Sequence, residues 1–351
     1  MKSNNDSKQK KGINYKASAK LQIILMIIFF ILFAWILDKP ISRFKSDDTH
    51  PQLETVTPQK IIHFGGSPVP ITVGMYIRDI PEFNVAQGYM VADIIVWFKF
   101  DPKVISLHRV KDFSLDQVKI KDKSKPYTWI EDDQLAVRYL IRGRFNLDMN
   151  YKNFPLDDHI ISISLTNYQL SPADVIFNSS KFNLSMNPKV SFSGYKVVDK
   201  TVKTGYIADK IDPFIEKSEI FRPRVVFSFD VARIGIRHII SIILPLLFIF
   251  FLTLFSFTFD PFNSYGTIIS MSIAGITAII AQSFVVASLS PNPGYFMLVD
   301  KLFLTLLSCI CIIFFVNVFG KKIRGFYKDI LSILLTASII GLFLYIVYPL
   351  F

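Results

Sequence analysis

Seven residues between positions 266 and 288 form the most distinctive chemical pattern in this sequence. They recur at intervals of three or four residues, so they share one face of a helix. Hydroxyl groups on such a face can replace part of the water around an ion, whereas small residues on a membrane helix also allow close helix packing. The residues alone leave both interpretations open. All of these stripe residues except Phe284 are small or hydroxylic. The seven stripe residues are Gly266, Ser270, Ala274, Thr277, Ala281, Phe284 and Ser288.

The stripe lies within an uncharged apolar run that predicts a membrane-spanning helix over residues 267–289. A helix of about 22 residues rises about 33 Å, which is enough to cross a bilayer. Three further long apolar runs predict spans at 239–259, 302–319 and 330–350. We therefore expect residues 236–351 to form a four-helix transmembrane pore domain or a packed bundle.

The N-terminal region combines a lysine-rich tail with another apolar run. Residues 1–20 contain six lysines and one aspartate, which predicts a cytosolic basic tail. The following run, 21–38, is interrupted by Gln22 and fits either a retained transmembrane anchor or a cleaved signal sequence. Its length and the lack of a small-residue cleavage site favour the anchor. Residues 39–60 contain Pro, Ser and Thr and are interpreted as a linker.

The net charge of +11 is concentrated beside the predicted spans. The tail contributes five of these charges, and the segment 321–329 contributes three more. Basic residues next to membrane helices indicate the cytosolic side. Both basic segments are cytosolic if the chain is an integral protein of the plasma (inner) membrane with the region between the first two spans outside. This distribution argues against nucleic acid as a partner.

Residues 61–235 change to short alternating or β-branched runs, separated by Pro, Gly, Asn and Asp clusters. This pattern predicts an antiparallel β-sandwich. No Ser/His/Asp or Cys/His arrangement, phosphate loop or metal-spaced His/Cys group is recognisable. We therefore expect neither an enzyme nor a metal or other cofactor. The predicted strands are 71–77, 89–98, 134–145, 159–166, 173–177, 190–198 and 225–231.

This order of elements resembles the pentameric ligand-gated ion channel family, the Cys-loop receptor superfamily, over about residues 65–350. The match is to prokaryotic-type members without the Cys-loop disulfide, since Leu147 and Ile161 occupy the positions of the paired cysteines. The local motifs occur in the family's order. They are Trp97 with Phe100-Asp101-Pro102, Asn153-Phe154-Pro155-Leu156-Asp157, Ile243-Leu244-Pro245-Leu246, and Ser290-Pro291-Asn292-Pro293-Gly294-Tyr295.

The resemblance implies a homopentamer whose five stripes surround an axial pore for an inorganic ion, with membrane lipid around the helices. A ring of Phe284 would form a narrow apolar constriction. It implies gating by an unidentified small-molecule ligand or by protons, with a weak preference for cations. The alternative is a non-conducting membrane sensor or scaffold with the same architecture.

The resemblance also implies two groups of residues outside the pore. Gating and coupling are expected to involve Glu82, Asp157, Arg233, Pro291 and Tyr295. A carboxylate–guanidinium–carboxylate cluster of Glu82, Asp157 and Arg233 would be sensitive to the loss of one partner. The ligand-binding candidates are aromatic residues chosen only by their position in loops of the β region, and an ordinary packed or surface role is favoured over ligand binding for each. They are Tyr127, Trp129, Tyr168, Tyr206 and Phe214.

Overall fold

The computed structural model describes residues 18–36, 38, 44–210, 219–234, 236–319, 323 and 325–347. Contacts within the chain divide them into a helical unit and a β unit. The helical unit contains the described residues of 1–45, 151–157 and 235–351, and the β unit contains those of 46–150 and 158–234. The 151–157 segment therefore groups with the helices, although the sequence places it inside the β region.

The β unit is built from eleven strands, two short α-helices and one 3-10 turn (Lys181–Asn183) among the described residues. Helix α2 (Pro58–His63) begins after Thr57, whose side chain accepts a hydrogen bond from the Lys60 backbone N–H, and α3 spans Leu107–Val110. The strands are β1 (Val69–Asn84), β2 (Tyr89–Phe100), β3 (Phe113–Leu115), β4 (Val118–Lys123), β5 (Tyr127–Glu131), β6 (Gln134–Asn146), β7 (His159–Asn167), β8 (Val175–Asn178), β9 (Leu184–Met186), β10 (Tyr195–Lys210) and β11 (Glu219–Arg233).

These strands form two sheets that share one apolar core. The seven-stranded sheet has the order β4-β6-β2-β1-β8, with β5 beside β6 and β9 beside β1. The four-stranded sheet has the order β10-β11-β7-β3. Alternate residues of strands from both sheets, such as Ile94 of β2 and Phe227 of β11, are fully buried in the core. The predicted two-sheet β domain is confirmed.

Two features of the β unit differ from the sequence-based expectation. The sandwich is not wholly antiparallel, because β1 pairs in parallel with β8 and β9. The sequence analysis also missed the short strands β3, β4, β5 and β9. Strands β4 and β5 are exposed along most of their length, so they lack the alternation of buried and exposed residues that reveals a strand.

The helical unit contains α1 (Ser18–Ile36), α4 (Ile236–Leu254), α5 (Tyr265–Leu289), α6 (Leu298–Val318) and α7 (Gly325–Val347). Within the described ranges, four helical stretches are long and apolar enough to cross a membrane: Ser18–Ile36, Ile239–Thr258, Tyr265–Leu289 and Leu298–Val318. The chain is therefore an integral membrane protein with a β domain and helical spans. A membrane crossing by α7 remains a prediction.

Helix α1 is held against other helices of its unit by polar and aromatic contacts. The Gln22 amide Nε2 donates to the Ser332 hydroxyl at 2.8 Å, and the Ser18 hydroxyl donates to Asp329 Oδ1 at 2.6 Å. The ring of Phe29, which is buried, lies 5.0 Å from that of Phe251 in α4. The one polar residue of the apolar run is thus satisfied by α7.

Candidate functional site

Helix α5 has two faces of opposite character. Its buried residues are Ile268, Ser272, Gly275, Ile279 and Val286. All seven stripe residues are exposed in the single chain, and Phe284 is 73% exposed. At about 100° per residue, Ile279 lies about 200° around the helix from Thr277. The stripe therefore faces away from the other helices of its own unit.

Close packing of α5 within the unit uses small residues that are not in the stripe. A Cβ atom added at Gly275 would lie 2.1 Å from the Thr253 hydroxyl oxygen of α4, so only glycine fits there. On the same face, the Asn317 side chain of α6 donates to the Ser272 and Ser256 hydroxyls at 2.8 and 2.7 Å. Small residues that admit a neighbouring helix are expected in membrane bundles. Packing within the chain therefore does not account for the stripe.

The exposed face of α4 can be compared with the exposed stripe of α5. It carries large apolar side chains at four-residue spacing, which is the chemistry expected of a face in contact with lipid: Ile240, Leu244, Phe248 and Leu252. The exposed stripe of α5 differs because six of its seven residues are small or hydroxylic. The two helices thus expose surfaces suited to different environments.

The 151–157 segment caps the N-terminus of α6. The first backbone N–H groups of a helix have no partner within the helix. Here the Leu298 N–H donates to the Lys152 carbonyl at 2.8 Å, and the Val299 N–H donates to the Phe154 carbonyl at 3.3 Å. The Tyr295 hydroxyl also accepts a hydrogen bond from the Tyr151 N–H at 2.9 Å. The segment carrying the Phe-Pro motif therefore contacts both the α5–α6 connection and the start of α6.

A cavity of about 330 Å³ lies beside this connection, between the C-terminal end of α5 and the start of α6. Its volume is within the range of small-molecule sites. The predicted coupling residues Pro291 and Tyr295 both contribute to its lining, together with Ser283 and Asp300.

The remaining predicted coupling residues belong to different units. Asp157 is buried in the helical unit, whereas Glu82 and Arg233 belong to the β unit. Glu82 accepts a hydrogen bond from the Tyr89 hydroxyl. The Arg233 guanidinium lies 4.7 Å from the centre of the Tyr195 ring, within range of a cation–π interaction. The three-residue cluster remains a prediction.

The aromatic ligand-binding candidates occupy distinct places in the β unit. Tyr127 and Trp129 are exposed on β5 with their rings 5.9 Å apart, and the Arg138 guanidinium lies 4.5 Å from the Tyr127 ring. Tyr206 is only 1% exposed, and its hydroxyl donates to Glu54 Oε2 at 2.8 Å. Burial favours a packing role for Tyr206. Phe214 lies outside the described residues.

Tyr168 belongs to a cluster of charged groups that follows β7. Its hydroxyl donates to Asp116 Oδ1 at 3.4 Å, and the Arg222 guanidinium lies 5.0 Å from its ring. Arg224 forms an ion pair with Asp116, and its Nε donates to the Thr166 hydroxyl at 2.8 Å. Burial raises the pKa of Asp116 above its ordinary value, although the charge of Arg224 opposes this shift.

Sequence reasoning missed Asp116, Arg222 and Arg224, because only strand pairing brings them to Tyr168. Arg224 of β11 pairs with Thr166 of β7, two residues before Tyr168. Asp132 and Asp133 form the two-residue turn between β5 and β6, and both have positive φ. In the described part of the chain, no group of three or more His, Cys, Asp or Glu side chains could hold a metal ion.

Comparison of the chain with models of known protein families and with curated protein sequences gives no match.

Proposed function

We propose that the protein is a homopentameric ion channel gated by a small-molecule ligand or by protons, with a pore lined by α5. One observation carries the proposal: among the described residues, the small, hydroxylic stripe of α5 is exposed, while close packing within the unit uses the opposite face of the helix. A large apolar face, as on α4, suits lipid. A small, hydroxylic face suits water or the same face of neighbouring copies.

Five copies arranged around an axis would bring the stripes together. Each ring of Phe284 would then form an apolar constriction, which can close a pore by excluding water. Phe284 is 73% exposed in the single chain, so the described residues of its own unit leave most of the ring uncovered. An exposed ring in this position is consistent with a gate formed between copies.

The stripe hydroxyls favour cations weakly. The Thr277 hydroxyl donates to the Ile273 carbonyl at 3.0 Å, and the Ser288 hydroxyl donates to the Val285 carbonyl at 2.7 Å. Because these hydrogens are engaged by the helix itself, the hydroxyls present oxygen lone pairs outward. Oxygen lone pairs can coordinate a partly dehydrated cation.

Transmission from the β unit to the pore is proposed to involve the 151–157 segment. This segment caps α6 and contacts Tyr295 in the connection that follows α5. A change at this segment would reach the C-terminal end of α5 through that short connection. The β unit lies outside the cell and the N-terminus inside in this proposal. It requires neither a cofactor nor an enzymatic reaction.

Two places in the β unit are candidates for the stimulus. The Tyr168 cluster offers an aromatic ring, two guanidinium groups and a carboxyl group with a raised pKa, which suits either a charged small molecule or protons. The exposed Tyr127–Trp129 pair offers aromatic surface beside Arg138. The Tyr168 cluster is favoured because it joins aromatic, acidic and basic groups at one location.

The test is ion flux from purified protein in lipid vesicles over a range of pH, after pentamers are demonstrated. We expect Phe284→Ala to raise or unlock flux, because alanine removes the apolar constriction. Phe248→Ala is the matched control, since Phe248 is an exposed phenylalanine on the lipid-type face of α4. Its flux should equal that of the wild type.

Silence from both wild type and Phe284→Ala, in protein shown to be pentameric, would contradict the channel. It would favour the non-conducting sensor or scaffold. The stripe would then serve packing between copies.

A further inference from the structure

Asp48 makes an unusually complete set of hydrogen bonds for a residue of a segment interpreted from sequence as a linker. Its Oδ1 accepts the Asn150 N–H at 2.6 Å, and its Oδ2 accepts the Ile160 N–H at 2.8 Å. The His159 Nδ1 lies 3.1 Å from the same Oδ2. The Asp48 side chain is 3% exposed and that of His159 is fully buried. A buried carboxylate is tolerated when such donors surround it.

The two backbone groups that Asp48 binds stand on either side of the 151–157 segment. Asn150 immediately precedes this segment, and Ile160 follows it by three residues. One carboxylate therefore bridges the chain entering the segment and the chain leaving it. Bridging two points of a chain restricts the conformations of the residues between them.

Residues next to Asp48 and next to the 151–157 segment make further contacts that hold the same part of the chain. Ser46 forms a parallel bridge with Asp158, and Asp158 Oδ1 accepts the backbone N–H of Arg233 at 3.0 Å. The stretch around Asp48 is thus docked on the β unit at the base of the 151–157 segment. Asp148, two residues before Asn150, is exposed. It therefore offers a matched control for the buried carboxylate of Asp48.

We propose that Asp48 is a positioning residue for gating, because its carboxylate holds the two ends of the 151–157 segment. The inference rests on the proposed channel function and adds a residue that the sequence did not single out. The segment between the clamped ends supplies the carbonyls that cap α6 at Leu298 and Val299. Releasing its ends loosens the geometry with which it contacts the chain after α5, without touching the pore-lining stripe.

The clamp itself is tested by hydrogen–deuterium exchange on the full-length protein in lipid nanodiscs. Asp48→Asn keeps the size of the side chain but replaces one oxygen by a donor, so one of the two N–H groups loses its acceptor. We expect exchange at Asn150 or Ile160 to become at least about tenfold faster, as for the loss of a hydrogen bond to a charged group. Asp148→Asn removes the same charge from an exposed carboxylate close to Asn150 and should leave exchange unchanged.

The positioning role is tested by vesicle flux over a pH scan, in the wild-type and Phe284→Ala backgrounds. Asp48→Asn should shift the half-activating proton concentration by about five- to tenfold, within the usual range of coupling between sites. Single-channel conductance should stay the same, because Asp48 is not a stripe residue. Asp48→Ala should give a larger shift in the same direction if it assembles, and Asp148→Asn should give none.

The outcomes separate the two proposals. Unchanged exchange at both Asn150 and Ile160 in Asp48→Asn would overturn the clamp. Faster exchange with unchanged activation would overturn the positioning role and leave Asp48 a stabilising residue only. Absence of flux in every background would refute the channel, and with it the gating role, while the exchange measurement would still decide whether the clamp exists.

Discussion

Arg233 combines two contacts that distinguish its side chain from its backbone. The guanidinium lies over the ring of Tyr195, a buried residue, while the backbone N–H donates to Asp158. Substitution of the side chain therefore leaves the backbone hydrogen bond in place. This separation makes Arg233 a suitable residue for testing signal transmission without unfolding the strand end.

We predict that Arg233→Ala leaves expression and pentamer assembly intact but abolishes gated flux. Arg233→Lys keeps the positive charge but not the planar guanidinium, so it should restore flux in part. The measurements are size-exclusion chromatography and vesicle flux on the same preparations. Normal flux from Arg233→Ala would remove Arg233 from the coupling group.

Asp116 and Asp93 differ in the direction of their pKa shifts. Burial raises the pKa of Asp116, whereas hydrogen bonds from Arg142 at 2.6 and 2.5 Å lower the pKa of Asp93. A carboxyl group whose pKa is raised by folding stabilises the folded state at pH values below its pKa in the unfolded chain, about 3.9. This stabilisation is lost as the pH rises through its pKa in the folded state. A carboxyl group whose pKa is lowered by folding stabilises the folded state at pH values above its pKa in the unfolded chain. This stabilisation is lost as the pH falls through its pKa in the folded state.

We predict opposite pH trends for the two asparagine variants. From about pH 4 upward, the wild type should lose stability relative to Asp116→Asn until the carboxyl group is ionised. Below about pH 4, the wild type should lose stability relative to Asp93→Asn. Thermal unfolding at stepped pH measures both differences. Parallel curves for wild type and Asp116→Asn would show that Asp116 has the same pKa in the folded and unfolded states.

At the scale of elements, α5 divides its small residues between two tasks. Gly275 admits the Thr253 side chain of α4, whose hydroxyl is already committed to the Ile249 carbonyl at 2.8 Å. Gly266, on the stripe, has no other atom within 4 Å of the position of an added Cβ. Two glycines of one helix therefore have different structural requirements.

We predict that Gly275→Ala destabilises the protein while Gly266→Ala does not. Overpacking against Thr253 should cost about 1–3 kcal/mol, whereas alanine at the open position gains helix propensity. Thermal unfolding in one detergent compares the two variants with the wild type. Equal melting of both variants would mean that α4 and α5 can separate freely at Gly275.

At the scale of the whole molecule, the contacts of α1 indicate whether the N-terminal helix is kept in the mature protein or cleaved. Sequence left a signal peptide and an anchor as alternatives for residues 21–38. The contacts of Gln22 with Ser332, of Ser18 with Asp329 and of Phe29 with Phe251 favour a retained helix. A cleaved signal would leave Ser332 and Asp329 without these partners.

We predict that the purified protein retains residues 18–36. Intact-mass spectrometry of membrane-extracted protein measures the length of the mature chain, and N-terminal sequencing identifies its first residue. Each interhelical hydrogen bond is worth only about 0.6 kcal/mol on average in membranes, so Gln22→Leu should still be retained and assembled. A mature chain starting after residue 38 would identify the run as a signal sequence.

The sequence by itself determined the features that depend on local periodicity. Long apolar runs identified the spans, including Tyr265–Leu289, because a bilayer requires a fixed length of apolar helix. Alternating residues identified strands with one buried face, such as β2 and β6. The intervals of three and four placed the stripe on one helical face. Each of these signals is complete within a short window of residues.

Only the tertiary structure decided which surfaces are covered and which distant residues meet. Burial of the face opposite the stripe depends on α4 and α6, and no property of α5 alone reveals it. The hydrogen bonds of Asp48 reach residues 102 to 112 positions away. The hydroxyl of the buried Tyr206 donates to the carboxylate of Glu54, which is 152 positions away in the sequence. Contacts at such separations produce no pattern within a short window of sequence, because the fold of the intervening chain decides which residues meet.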